Sequence, residues 1–549
     1  MKIIWLAAGI AMAAGLASFG ESVVTDAGSM TRAARETATP VRPGVPGVRP
    51  FWNEQAVQFL YAPAFDFKEV PGAQKYRFTI TPEMGKPLVF EADRPWAPLS
   101  PVWTRLGAGK ARLEVIALDA RGAAVGQPQA RAFHRAAVFA SEYPAPALPW
   151  RESARTALDA LVHSSDLRCW FAGGEPEAQF HLYRYPSKIA GAAAAALAIY
   201  ASQTPPPADA AEALAAARRA ADYLLAMSEP RESAWAFHPP TYHPTLFRDR
   251  LKGHMLPGRY MTLCGAETGE YLLDVFAATK DVEYREAAVR IAETYASRQL
   301  PEGSWLQFVI AKDGKPVTDN VLIPTPVISF LDQLAQVTGE TRFDAMRAKA
   351  VVWIEKNPVR TWDWQGQFED VRPLPPYQNL TKHDACSFAM HLFHTAARQA
   401  LALDLLRFAE DQFVMWARPP VDSPTRQNPD GQAGAKSQRW LLPCVVEQYR
   451  CYAPVSASSA KLIRTYLAAY RATRDPLHLE KARALAGTLT RAQSHAKAPG
   501  RYQTWLMQNP GPMWFNCELA AIRAMEELAA VENEAAGNSG QSIRRQNSK

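Results

Sequence analysis

Two periods of apolar residues run along this chain of 549 residues, and one gives way to the other near residue 150. From about Phe51 to Phe139 apolar and polar positions alternate. Tyr76-Arg77-Phe78-Thr79-Ile80-Thr81 does so strictly, as does Arg112 to Leu118; Leu88-Val89-Phe90 and Arg131-Ala132-Phe133 are shorter stretches of the same kind. A period of two places every second side chain on one face of a strand. Val70-Pro71-Gly72, Gly107-Ala108-Gly109 and Arg121-Gly122 separate the stretches and turn the chain. Short strands at this spacing predict a small β-sandwich over residues 51–139.

Beyond Pro149 apolar and small residues recur at three- and four-residue spacing, the period of a helix. The pattern predicts helices at 153–163, 186–202, 208–227, 262–279, 282–299, 325–338, 342–357, 384–399, 401–416, 456–474, 477–494 and 514–533. Asp281, Glu340 and Asp475 fall in short turns within pairs. The segments between pairs are longer and aromatic: Glu232–Arg259, Gly303–Pro324, Thr361–Lys382, Pro419–Pro443 and Gly500–Pro512. Six hairpins, each needing to bury one face against its neighbours, predict a mainly α fold: an (α/α)6 toroid of helical hairpins over residues 150–533. An open solenoid of helix pairs is the alternative. The count of six and the atypical ends favour closure.

Composition adds limits. Apolar residues at 48% and charged residues at 21% suit a folded body, not bulk disorder. The net charge of +7 includes Lys2 in the leader and Arg544, Arg545 and Lys549 in the tail, which leaves +3 on the body. That is too little to expect nucleic acid as a partner. Residues 1–20 carry one basic residue, an apolar run from Ile3 to about Leu16 and small residues after it, the pattern of a signal peptide. The run is short of the ~20 residues a membrane span needs. The expected product is secreted or periplasmic, with no stable membrane anchor after cleavage. Residues 21–50 read as a linker and 536–549 as a disordered tail. No C-x-x-C occurs among the six cysteines, and His238 and His243 are five apart with prolines between them, so neither a metal nor a cofactor is expected.

In a toroid the loops between hairpins gather at one mouth, and these loops are rich in residues that suit a sugar. Aromatic rings stack on the apolar faces of sugars, while amides, carboxylates and guanidinium groups bond the hydroxyls. The candidate substrate-binding residues are Trp235, His238, Tyr242, Trp305, Trp362, Trp364, Gln367, Asn379 and Trp440. The segment Thr361–Asp384 concentrates them. It also holds Glu369-Asp370, the sharpest carboxylate pair. A hydrolase needs two carboxyls flanking the glycosidic bond; Glu369 or Asp370 would supply one, with a second from Asp384, Glu447 or Glu518. A lyase would use Tyr377, His383 or Tyr242 to abstract a proton beside a uronate carboxylate, with Gln367, Asn379 and Arg372 to neutralise that carboxylate. A glycan-binding protein without an acid or base is the third reading. For each loop tryptophan taken singly, packing over the core is the competing role.

Two resemblances follow from these motifs. Phe65-Asp66-Phe67…Val70-Pro71-Gly72-Ala73…Tyr76-Arg77-Phe78 resembles the opening of a fibronectin type III domain, which implies a spacer or docking module. The paired helices, the aromatic loops and Trp362-Asp363-Trp364-Gln365-Gly366-Gln367-Phe368-Glu369-Asp370-Val371 resemble the six-hairpin glycosidase-like superfamily. That resemblance implies a carbohydrate-active enzyme, a glycoside hydrolase or a polysaccharide lyase, over about 380 residues. Sugar epimerases share the toroid, and His243 and His383 keep that chemistry open. Gln299-Leu300-Pro301-Glu302-Gly303-Ser304-Trp305 also fits the repeat of triterpene cyclases, but it occurs once and their acidic motif is absent.

Overall fold

The computed structural model describes residues 23–24, 27–41, 56–140, 142–176, 178–372, 374–419, 439–495, 499–508 and 513–546. The expected signal peptide lies outside these residues, as do parts of the expected linker.

The alternating region forms five strands: β1 (Gln58–Phe59), β2 (Lys75–Pro82), β3 (Leu88–Ala92), β4 (Gly109–Leu118) and β5 (Ala124–Arg135). They pair in the order β1-β5-β4-β2-β3, with β1 parallel to β5 and the rest antiparallel. Phe78 stands opposite Phe90 on one side and Val115 on the other, and the two phenylalanine rings stack at 4.6 Å. The alternation is realised as drawn: Tyr76, Phe78, Ile80, Leu113 and Val115 are buried, while Arg77 and Glu114 face away from them. Where a sandwich was expected, the described residues form this one sheet. Its buried face is covered by Phe59, Phe65 and Trp103 with Phe133, in edge and stacked contacts of 5.5–5.9 Å, instead of by a second sheet. A period of two determines which side chains turn inward but not what meets them.

The sheet docks on the helical body through buried polar bonds. Asp411 Oδ1 accepts from the amides of Leu60 (2.7 Å) and Tyr61 (2.8 Å), and the Tyr61 hydroxyl donates to Glu410 at 3.0 Å. Phe139 and Tyr143 pack against Trp416. Part of the expected linker is helical: Ala27–Glu36 buries Ser29 and Ala33, and Arg32 pairs with Asp475 at 3.1 Å. Alanines, arginines and a glutamate are good helix formers, and one buried stripe suffices to hold ten residues.

The ring consists of α1 (Trp150–Val162), α2 (Pro186–Ala201), α3 (Ala210–Ala226), α4 (Leu263–Thr279), α5 (Val282–Arg298), α6 (Thr325–Thr338), α7 (Asp344–Lys356), α8 (His383–Phe393), α9 (Gln399–Phe413), α10 (Ser456–Thr473), α11 (Pro476–Ala492) and α12 (Phe515–Gln546). The even-numbered helices form an inner ring in which each touches the next, and α12 returns to α2, so the ring is closed. Each odd-numbered helix from α3 to α11 backs the inner helix before it. The remaining one, α1, has no partner beside it in sequence and backs α12. This is the (α/α)6 toroid. Pro186 and Pro476 open α2 and α11, and Asp475 caps α11 by accepting from the Leu477 amide at 2.9 Å. Lys280, Gly339 and Arg474 take the left-handed conformation that ends α4, α6 and α10. Close approach of inner helices rests on glycine: a Cβ on Gly269 of α4 would lie 2.3 Å from Phe330 Cε2 of α6.

Two boundaries differ from the periodic reading. The stretch expected as one helix at 384–399 ends at Phe393, and a short 3-10 turn at Ala396–Arg398 precedes α9. The last helix runs to Gln546, through residues expected as a disordered tail, because a helix already anchored by packing gains one hydrogen bond per added residue. No described helix is long and apolar enough to cross a membrane.

Candidate active site at the mouth of the ring

All six inner helices begin at the same end of the ring, so the long inter-pair loops converge there. The segment expected to form a wall of the mouth folds back on itself. Gly366 N donates to Asn379 O at 2.6 Å, Thr381 N donates to Trp364 O at 2.9 Å, and Gln365 bridges Leu380. Gly366 is needed at this crossing because a Cβ there would lie 2.8 Å from Asn379 Nδ2. The fold-back holds Glu369-Asp370 over the start of α2. Two side chains fix the Glu369 carbonyl: the Tyr242 hydroxyl donates to it at 2.6 Å, and His254 Nε2 lies 3.1 Å away.

Below the mouth a buried ion cluster forms around Lys188, in the first turn of α2. Its ammonium lies 3.0 Å from Glu267 Oε1 of α4 and 3.3 Å from Glu369 Oε2. Burial pulls this ammonium down, but the two carboxylates outweigh it and hold Lys188 well above its ordinary value. Burial raises the Glu267 carboxyl, with Lys188 opposing. Asp370, next in the chain, is exposed at the rim. Its carboxyl is pushed up to about 7, first by desolvation among the converging loops and then by the charges of Glu369 and Glu447. Glu447, from the loop after α9, is raised by burial, with Lys382 opposing. Lys382 is itself lowered to about 8 by burial, and its ammonium donates to Glu447 O at 2.7 Å and Ser458 Oγ at 2.5 Å. Tyr185, whose hydroxyl is raised by burial and by its nearness to Glu369 and Asp370, stacks on the half-buried Trp514 at 5.1 Å. The site is thus one committed carboxylate, two others near the opening and a stacked aromatic pair.

Behind it a cavity of about 610 Å³ runs along the ring axis between the inner helices. His383, Asp384 and Gln367 line it. The His383 imidazole is held well below its ordinary value by burial and by neighbouring lysines, so it is neutral. Asp384 accepts from the Thr325 hydroxyl, and its carboxyl is raised to about 6 by burial. Gln367 lies between loops, accepting from the Ile323 amide at 2.8 Å and donating to Val321 O at 2.9 Å.

Most of the aromatic residues expected to meet substrate pack the loop layer instead. Trp305 is fully buried, edge-on to Tyr295, and its Nε1 donates to Tyr295 O. Trp235 and His238 wedge against the same tyrosine, and burial lowers His238 to about 4. Trp362 lies edge-on to Phe408 of the outer helix α9, Trp364 is fully buried near Phe388, and Trp440 is buried near Tyr452. The loop layer is thick, and large rings fill it best. Tyr377 does not reach the cluster: its hydroxyl donates to Thr361 O at 2.9 Å. Asn379 staples loops, donating to Gln448 Oε1 at 2.6 Å and accepting from the Arg450 amide. Glu518 is fully buried and committed to Arg501 at 2.8 Å. Of the residues singled out in the sequence, Glu369, Asp370, Glu447 and Tyr242 come together at the mouth.

Lys188 and Glu267 were missed because both lie inside helices that read as packing segments. The available signal was charge in the wrong place: Lys188 is the lone ionisable side chain in Pro186–Ala201, apart from the terminal tyrosine, in a helix otherwise built of alanine and aliphatic residues. A cation there needs a buried anion as partner.

No known protein family's profile matches this chain, and no curated protein is similar to it in sequence. Solved structures that resemble it include a family 76 glycoside hydrolase from a bovine Bacteroides thetaiotaomicron strain, at a TM-score of 0.45 and 10% identity over 83% of this chain and 93% of that one. A cellobiose 2-epimerase from Spirochaeta thermophila overlaps at 0.43 with 13% identity, over 69% of this chain and 98% of its own. An unsaturated glucuronyl hydrolase specific for heparin overlaps at 0.43 with 9% identity, over 70% and 98%. At these scores the closure of the ring rests on its own helix adjacency.

Proposed function

We propose that the chain is a carbohydrate-active enzyme, a glycoside hydrolase whose scissile bond lies across the mouth between Asp370 and Glu447. One observation carries this reading: the acidic pair is split. Glu369 is tied to Lys188 beneath the surface, whereas Asp370 faces the opening with its carboxyl raised to about 7. A carboxylic acid that keeps its proton near neutral pH suits the general acid, which protonates the leaving oxygen as the glycosidic bond breaks. Glu447 would serve as the second carboxylate, acting on water or on the anomeric carbon. Trp514, half-buried and backed by the buried Tyr185, offers a ring surface for the apolar face of a sugar. The hydroxyls of Tyr242 and Tyr377 both donate to backbone carbonyls, which disfavours a tyrosinate base. Export, suggested by the leader, is part of the proposal; the N-terminus of secreted material should begin near residues 18–21.

The test is turnover of a polysaccharide panel by the full chain. New reducing ends without an unsaturated product support the hydrolase, and Asp370→Asn or Glu447→Gln should each lower their rate by at least ~10²-fold. An unsaturated uronate product would replace this reading with a lyase. Binding without turnover would replace it with a glycan-binding role.

A further inference from the structure

We infer that the axial cavity is a second saccharide site, reached from the hairpin-turn face of the ring, opposite the loop-bearing mouth. Exposure along its wall gives the direction. At the loop end Lys188 is 11% exposed and Thr381 is fully buried, and the Lys188–Glu369 pair lies across that end. At the other end Asp332 is 41% exposed and Arg464 43%, and Gln336 and His394, at the final turns of α6 and α8, are exposed cavity-lining residues. The cavity therefore opens where the inner helices end.

Its volume of about 610 Å³ lies in the range of small-molecule sites. Five acidic side chains line it against four basic ones, so it offers no net attraction to an anion. Several of the charges are already satisfied by one another: Asp274 with Arg523, Asp332 with Arg347 and His391, Glu267 with Lys188. What remains facing the space is a mixture. Glu270 has no hydrogen bond or ion pair among the described residues, and burial raises its carboxyl to about 7. Among the described residues the His383 imidazole makes only a ring contact, with Phe368. Lys461 is bonded to Ser387 at 2.9 Å, and Asp384 to Thr325. A ligand here must both donate and accept hydrogen bonds at several points without bringing charge. Hydroxyl groups do both. Phe388 and Phe368 add apolar wall for a C–H face. A mono- or disaccharide meets these requirements, and the assignment stands whether or not the mouth hydrolyses anything.

Calorimetric titration of the full chain with D-glucose, D-mannose, D-galactose and cellobiose tests it. At least one should bind. Gln336→Trp, which places a large side chain in the turn-face opening at an exposed position, should weaken that binding by about tenfold or more. Glu270→Gln, which removes the unpaired carboxylate, should weaken it as well. Circular dichroism and melting curves establish that the variants fold; Gln336→Trp keeps the test decisive if Glu270→Gln does not. The inference is overturned if none of the sugars binds, or if binding survives Gln336→Trp, since the sugar would then lie elsewhere.

Discussion

Lys188 Nζ lies 3.3 Å from Glu369 Oε2, joining the first turn of an inner helix to the loop that carries the acidic pair. Both side chains are nearly buried, at 11% and 5% exposure. Removing one partner leaves the other's charge without compensation, which in buried pairs costs about 3 kcal/mol or more. Lys188→Met should therefore lower unfolding free energy in urea by about that amount, and adding Glu369→Gln should recover part of it. Equal losses in the single and double variants would mean the two groups are not coupled.

If Asp370 is the proton donor, the pH profile has a definite sign. The group works while protonated, and its carboxyl titrates near 7. Turnover should fall as pH rises through about 7, with that limb belonging to Asp370 together with its carboxylate neighbours. Glu369→Gln removes a neighbouring negative charge and should move the limb to lower pH. A limb that stays in place in this variant would assign it to another group.

Asp411 holds the sheet on the ring. Its carboxyl is raised to about 7, chiefly by burial, against an ordinary value near 4. A raised carboxyl means that the folded state binds a proton the unfolded state has released. The stability it contributes is present at low pH and is lost as pH rises from about 4 through 7. Asp411→Asn cannot take up that proton, so its deficit in melting temperature relative to the parent chain should be larger at about pH 5 than at about pH 8. Asp411→Ala leaves the Leu60 and Tyr61 amides without an acceptor and should cost about 2 kcal/mol or more, with early proteolysis in the sheet. An unchanged melting temperature in the alanine variant would show that the contact is dispensable.

Gly269→Ala tests the ring itself. The added Cβ would lie 2.3 Å from the buried ring of Phe330, so α4 and α6 must part or the ring must move. The expected loss is about 1–3 kcal/mol, read from chemical denaturation. Phe330→Leu in the same background should relieve part of it, because the shorter side chain vacates that space.

Local pattern was enough for the elements. The two-residue alternation at Tyr76–Thr81 and the helical spacing from Leu263 to Leu300 each set which side chains turn inward, because backbone geometry repeats at those periods whatever surrounds it. Short turns at Asp281 and Asp475 then made hairpins, and a ring, closed by α12 with α1, is the economical way to bury their faces. The sequence also pointed to Glu369-Asp370 and Glu447. Only tertiary structure could divide that acidic pair, because Lys188, held by Glu267 from 79 residues away in sequence, draws one carboxylate under while its neighbour stays at the rim. The tryptophans went the other way. A Trp in a polar loop carries the same local signature whether it stacks on a ligand or fills the layer over the core, and Trp305, Trp362 and Trp364 fill it. Burial is a property of what converges in space, which a single chain segment does not encode.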